Sequence, residues 1–273
     1  MPKIHPTAIV DSNAKLADDV EVGPYCIVEA DVKIGAGTVL RSHAVIRRYT
    51  TLGRRNLVDP FCVLGGEPQD YKFDPKTVSY LRIGDENIFR EGVTISRATG
   101  QGNETHVGSR TYWMNNSHAG HNAAVSDEAV LAGGALVAGH ATVGRGAILS
   151  GCVLIHQFTW VGERVMSRGG AAVGMHVPPY CLFTGANNIS SLNSVGIRRN
   201  PDLTPADHKQ IKEAFHITYR SGLKPTEALE KMDQYTDWGA AASKFREFLR
   251  RVVTAEPPYN RGLCPLVRYR KQI

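Results

Sequence analysis

An aliphatic residue returns every six positions over most of this chain. The series runs Ile4, Val10, Leu16, Val22, Val28, Ile34, Leu40, Ile46, Leu52, Val58 and Leu64. Glycine often follows, as in Val22-Gly23, Ile34-Gly35 and Leu52-Gly53, and a second aliphatic often falls four or five places on. The phase breaks near Gly65, resumes at Ile83, Phe89 and Ile95, and breaks again near Gly100. It then runs from Val107 through Trp113, Ala119, Val125, Leu131, Val137, Val143, Leu149, Ile155 and Val161. Ser167 interrupts it, and Val173 restores it before Pro178-Pro179. A six-residue period fits neither the 3.6-residue turn of an α-helix nor the two-residue alternation of a simple strand. It suits short strands joined by tight turns, each sending one large aliphatic side chain into a prism. No repeat buries its face alone, so successive coils must stack as a solenoid.

The pattern resembles the hexapeptide-repeat proteins. That resemblance implies a left-handed parallel β-helix with three hexads per coil, and a chain that is mainly β with an α tail. The two phase breaks, about 65–82 and 99–106, read as loops extruded from the prism. Beyond Pro178-Pro179 the period is lost. Thr204 reads as a helix N-cap, with Pro205 at the first helical position and Asp207 in the first turn. Ile211, Ala214, Phe215, Thr218 and Tyr219 give one apolar face, and Ser221-Gly222 stops the helix. Thr226 to about Tyr235 and Trp238 to Val253 read as two more helices. The expected organisation is a β-helix over 1–185, a small C-terminal helical domain over 186–255, and an irregular basic tail over 256–273.

The formal net charge is +6, gathered partly in Arg246, Arg250, Arg251, Arg261, Arg268, Arg270 and Lys271. Such a patch suits an acidic carrier protein, a membrane surface or nucleic acid. No nucleic-acid-binding motif accompanies it, so no nucleic-acid partner is expected. No apolar run approaches the ~18 residues that span a bilayer, and the first residues lack the apolar stretch of a signal peptide. A cytoplasmic protein without a transmembrane segment is expected. Cys26, Cys62, Cys152, Cys181 and Cys264 are scattered with no CxxC pair, which reads as buried free thiols rather than a disulfide or zinc framework.

On the implied coil, residues three hexads apart lie over one another at about 4.8 Å. His121 then stacks against Gly139, Gly139 against Gln157, and Ala138 against His156. His140 sits beside Gly139, and His118 lies just before His121. Four of the chain's ten histidines thus meet at one prism edge, and clustered titratable groups mark functional sites. Neutral imidazoles can bind zinc, usually three together, or one can act as general base on a hydroxyl. The γ-class carbonic anhydrases, which share the repeat, bind metal through histidines of which two stand five residues apart. No histidine of this cluster has a neighbour at five, so neither a metal nor another cofactor is expected. There is no G-x-S-x-G elbow, and Cys152 is the only cysteine of the region. The simplest chemistry is direct attack of a substrate hydroxyl on a thioester, with an imidazole removing the proton. The Gly139 N–H, one coil from His121, would serve the oxyanion, and glycine there lets an acyl group approach the backbone.

The segments Ile4-His5-Pro6-Thr7-Ala8, Gly23-Pro24-Tyr25-Cys26-Ile27, Gln69-Asp70-Tyr71-Lys72, Asn116-Ser117-His118-Ala119-Gly120-His121, Ala138-Gly139-His140 and Ile155-His156-Gln157-Phe158 resemble the acyl-carrier-protein–UDP-N-acetylglucosamine O-acyltransferases. The resemblance covers roughly residues 3–250. It implies transfer of a 3-hydroxyacyl chain from acyl carrier protein to the glucosamine 3-hydroxyl, the opening step of lipid A synthesis, by a homotrimer with its sites between adjacent prisms. It implies His121 as general base and Gly139 as oxyanion donor, with His118, His140, His156 and Gln157 in the substrate site. Asp70 and Lys72 resemble a pair that reaches a neighbouring subunit's site, Asn193 and Arg199 a nucleotide-contacting segment, and Gly169 the position that gauges acyl length. Three positions depart from the family pattern. Asn122 replaces the usual Asp after the catalytic His, Val195 replaces a Glu, and Asn200 stands where a basic residue is frequent. Two further functions stay open on the residues alone: acyl transfer to the nitrogen of another UDP-amino sugar, and a metal-dependent hydratase or purely structural solenoid.

Overall fold

The computed structural model describes residues 1–267. Most repeat strands are two residues long, the first side chain facing out and the second in, as in Ile27–Val28, Leu136–Val137 and Ile148–Leu149. They collect into three sheets of eleven, nine and eight strands, the walls of a prism. The first wall begins at Lys3–Ile4, the second at Ile9–Val10 and the third at Lys15–Leu16. Leu136 pairs with Leu154 and Val137 with Ile155, so one circuit takes 18 residues.

The predicted inward positions from Val22 to Val173 line the core, among them Leu40, Ile46, Leu64, Trp113, Val137 and Leu149. Burying one such side chain is worth about 1.5–3 kcal/mol, and each circuit contributes three. The first circuit is the exception. Ile4 stays 44% exposed, and Val10 and Leu16 are only partly buried, because no coil covers them. Ser167, which breaks the aliphatic series, is buried; its Oγ accepts the Ser150 N–H at 2.7 Å and so satisfies the polar step.

The phase breaks appear as jumps in register. Val63 pairs with Thr94, 31 residues on, and Thr94 pairs with His118, 24 residues on. The extra residues leave the prism between the second and third walls. The first extrusion is tied down by Arg97, whose buried guanidinium donates to the Thr77 carbonyl at 2.7 Å and the Ser79 hydroxyl at 3.1 Å. At the corners several non-glycine residues adopt left-handed backbone, including Asn122 (φ 59°), His140 (φ 60°) and Phe158 (φ 61°). Asparagine tolerates this region well; bulkier residues do so rarely.

After the last repeat strand, Ala172–Val173, an antiparallel hairpin of Cys181–Thr184 and Asn188–Leu192 follows. Four helices come next: α1 (Ser194–Arg199), α2 (Pro205–Tyr219), α3 (Pro225–Asp233) and α4 (Ala240–Val253). Thr204 caps α2 in a reciprocal capping box with Asp207. The short α1 has no counterpart in the sequence reading, since six residues are too few to show a period. Helix α4 docks on the third wall through the Lys244–Glu163 ion pair at 2.8 Å, and the Arg251 guanidinium lies 3.6 Å from the Trp160 ring centre.

Residues 256–267 run back along the prism. Leu263 bridges to His176 and Leu266 to Ile189. The basic cluster is partly consumed by packing: Arg246 and Arg250 pair with Asp233, and Arg251 covers Trp160. Arg268, Arg270 and Lys271 lie outside the described residues. Four cysteines are buried, whereas Cys152 is exposed at a corner.

Candidate active site

A cleft of about 640 Å³ opens on the second wall, lined by His118, His121, Gly139, His156, Gln157 and Gln69 among others. The three circuits through His118–Ala119, Leu136–Val137 and Leu154–Ile155 bring these residues together. Below them Leu136 and Leu154 form an exposed apolar strip that continues to Ala172. A second hollow, of about 730 Å³, lies at the N-terminal end between Lys3, Glu21 and Arg41. His5 is its single histidine; its other titratable groups are Lys3, Glu21, Arg41 and Asp59, of which Lys3 and Glu21 pair with each other at 2.7 Å.

His118 is the outward residue of its strand, and its Nδ1 lies 2.8 Å from Thr94 Oγ1 on the preceding coil. Burial holds its imidazole below the usual histidine value. His121 stands at the following corner, its Nδ1 2.9 Å from Asn122 Oδ1. His140 meets His121 edge to face at 5.1 Å and stacks on Phe158 at 4.7 Å. It too is held below the usual value, first by burial and then by His121, with Asp70 opposing. His156 is exposed, its Nδ1 3.1 Å from the Gln157 carbonyl.

Gly139 lies hard against the His121 ring. A β-carbon there would stand 2.8 Å from His121 Cε1 and 2.9 Å from Nε2, so the absent side chain is what seats the imidazole edge. Among the described residues the Gly139 N–H donates to no backbone carbonyl, while its neighbours at 138 and 140 donate to Ile155 and His121. An imidazole and an amide N–H without a backbone acceptor therefore belong to the lining of one cleft. Among the described residues no three His, Cys, Asp or Glu side chains converge as a metal-holding group.

Not every expected residue joins this set. Gln69 reaches the cleft of its own chain, and Asp70 follows it, accepting the Lys72 N–H at 2.9 Å in an exposed turn. Asn193 is buried and caps α1, accepting the Gly196 N–H at 3.0 Å and donating to the Arg164 carbonyl at 3.0 Å. Arg199 is exposed on α1 and forms no ion pair among the described residues. Neither lines the cleft. Gly169 sits at an exposed corner, also outside the lining; a β-carbon there would make an ordinary contact of 3.4 Å with the Gly151 carbonyl. Sequence reasoning missed Thr99 and Arg97, which hold Asn122 and the first loop. Their only signal is position, beside the phase breaks.

The solenoid segment 13–48 matches the bacterial transferase hexapeptide profile of six repeats, and residues 176–264 match the second domain of UDP N-acetylglucosamine O-acyltransferase. The acyl-[acyl-carrier-protein]–UDP-N-acetylglucosamine O-acyltransferase of Syntrophobacter fumaroxidans is 40% identical over 250 residues, 90% of this chain and 96% of its own. The enzyme of the same name from Stutzerimonas stutzeri is 40% identical over 85% of this chain and 90% of its own. Among solved structures, the UDP-N-acetylglucosamine O-acyltransferase of Moraxella catarrhalis superposes with a TM-score of 0.87 at 36% identity, covering 97% of this chain and 99% of its own. That of Campylobacter jejuni gives 0.87 at 31% identity, covering 97% and 100%. With relatives this similar along nine-tenths of its length, the chain belongs to the acyl-[acyl-carrier-protein]–UDP-N-acetylglucosamine O-acyltransferase family.

Proposed function

We propose that this protein moves a 3-hydroxyacyl chain from acyl carrier protein to the 3-hydroxyl of UDP-N-acetylglucosamine, the first step of lipid A synthesis. The observation that carries the reading is the His121 imidazole edge seated against Gly139, whose N–H is unspent. The acceptor oxygen attacks the thioester carbonyl while His121 Nε2 takes its proton. Negative charge gathers on the carbonyl oxygen and is met by the Gly139 amide. Collapse of this intermediate breaks the carbon–sulfur bond, and the leaving thiolate recovers the proton from the imidazolium.

His118, His140, His156 and Gln157 orient the sugar, and Asp70 and Lys72 present the first loop to it. Arg199 is an exposed guanidinium free to clamp a diphosphate, with Asn193 holding the helix that carries it. Gly169 leaves room for the acyl chain. The solenoid is left-handed and spans 1–185, followed by a helical domain to 255 and a tail. The working form is a cytoplasmic homotrimer. Two prism walls present outward aliphatics, Ile27, Leu136 and Leu154 on the second and Ile88 and Ile148 on the first, as packing about a threefold axis requires. No described helix is long and apolar enough to cross a membrane.

The test is thiol release from acyl carrier protein by wild type and His121→Ala, with UDP-N-acetylglucosamine or its 3-amino analogue as acceptor. Release that requires the hydroxyl sugar and falls at least ~10²-fold in the variant is expected. Release only with the amine moves the assignment to N-acyl transfer. More than about a tenth of the wild-type rate in the variant removes His121 as base.

A further inference from the structure

The side chain of Asn122 lies between the base and the backbone of the second loop. Its Oδ1, 2.9 Å from His121 Nδ1, also accepts the Thr99 N–H at 2.9 Å and the Thr99 hydroxyl at 2.8 Å. Its Nδ2 donates to the Thr99 carbonyl at 3.2 Å. The two ends of an amide are ordinarily assigned from their surroundings. Here the surroundings leave no choice, because a backbone N–H only donates and a backbone carbonyl only accepts. Thr99 therefore dictates that the oxygen end faces His121.

An oxygen without hydrogens beside Nδ1 requires that Nδ1 carry the proton. The lone pair of the neutral ring is then left on Nε2, the atom set against Gly139. No other group hydrogen-bonds His121 Nδ1 among the described residues. The titratable groups around the ring are His140 at 5.1 Å, His118 and His156 in the same cleft, and Asp70, whose charge acts on His140. The asparagine backbone is itself held: its N–H donates to Thr105 Oγ1 at 2.8 Å, and Thr105 is buried. Both ends of the second extruded loop thus grip this one residue.

We infer that Asn122 and Thr99 are positioning residues that set the tautomer of His121, and that the second loop serves as their clamp. This rests on His121 being the base. The arrangement also accounts for an amide where the family usually has a carboxylate. An aspartate would replace Nδ2 by oxygen and set it 3.2 Å from the Thr99 carbonyl oxygen, acceptor against acceptor. The amide instead closes a ring of two hydrogen bonds with Thr99.

The decisive variant is Asn122→Gly. The position has a φ of 59°, which glycine adopts freely, so the amide is removed without forcing the corner. Nitrogen NMR of full-length protein labelled with [15N]histidine reads the tautomer directly. Wild type should show His121 protonated at Nδ1. Asn122→Gly should move the ring toward the Nε2-protonated form and lower kcat about 10²-fold, with the acceptor KM within about twofold. Asn122→Asp should recover much of the rate at high pH, with the acid limb displaced upward because a carboxylate favours the charged ring. Should Asn122→Gly keep the wild-type tautomer and a kcat within about threefold, the clamp is overturned. If the tautomer shifts while His121→Ala stays active, the clamp stands and the base assignment falls.

Discussion

Alanine at position 139 isolates the geometry on which the chemistry depends. Its methyl would lie 2.8 Å from His121 Cε1 and 2.9 Å from Nε2. Carbon contacts settle near 3.5 Å, so the ring must retreat by about 0.6 Å or more. Nδ1 is tethered to Asn122 at 2.9 Å, so the ring either pivots, swinging Nε2 away, or breaks the tether and loses its tautomer. Displacing a reacting group by ~1 Å costs about 10²-fold, equivalent to about 2.7 kcal/mol of activation free energy. The fold bears the change easily, since the methyl meets mainly a side chain, with the His121 carbonyl oxygen 3.2 Å away. In a thiol-release assay with acyl carrier protein and UDP-N-acetylglucosamine, kcat should fall about 100-fold, while the melting temperature moves by only a few degrees. A kcat within about threefold of wild type would show that the imidazole is not used in the position it occupies.

Burial holds His118, His140 and His176 below the ordinary histidine value, so the unfolded chain binds protons that the folded chain resists. Stability from this source is therefore intact above pH ~6.5 and is lost as pH falls below it; urea midpoints that do not change between pH 7.5 and 5.5 would refute it. Arg97→Ala should free the first loop by leaving the Thr77 carbonyl and Ser79 hydroxyl without their donor, at about 1–3 kcal/mol. Limited proteolysis within 67–79 should accelerate, and an unchanged cleavage rate counts against the anchor. Leu154→Glu, on the apolar strip of the second wall, should yield monomers with no activity; a trimeric mass by light scattering would exclude that wall from the interface.

The solenoid was legible because its period is repeated many times and each inward position tolerates only large apolar groups. The histidine cluster was legible for the same reason, since fixed coil length turns spacing in sequence into adjacency in space. What escaped detection lay outside the period. Thr99 and Arg97 act through loops whose path no repeat dictates, and α1 is too short to show an apolar face. Asn193 and Arg199 are joined to the cleft by family likeness but stand apart from it within one chain, so their reading depends on assembly. The basic cluster near the C-terminus was legible as charge but not as structure, because Arg250 and Arg251 turn back onto Asp233 and Trp160.

The two ends of the prism are unlike. At the C-terminal end, the hairpin and residues 263–266 lie across the last coils as a plug. At the N-terminal end, Lys3–Ile4 and Ile9–Val10 present bare, solvated edges. Head-to-tail growth into a fibre needs a raw edge at both poles, and the described residues offer one. The outward lysines at the bare strands of that pole, Lys3 and Lys15, place charge where an added strand would have to pair, and so discourage growth there as well.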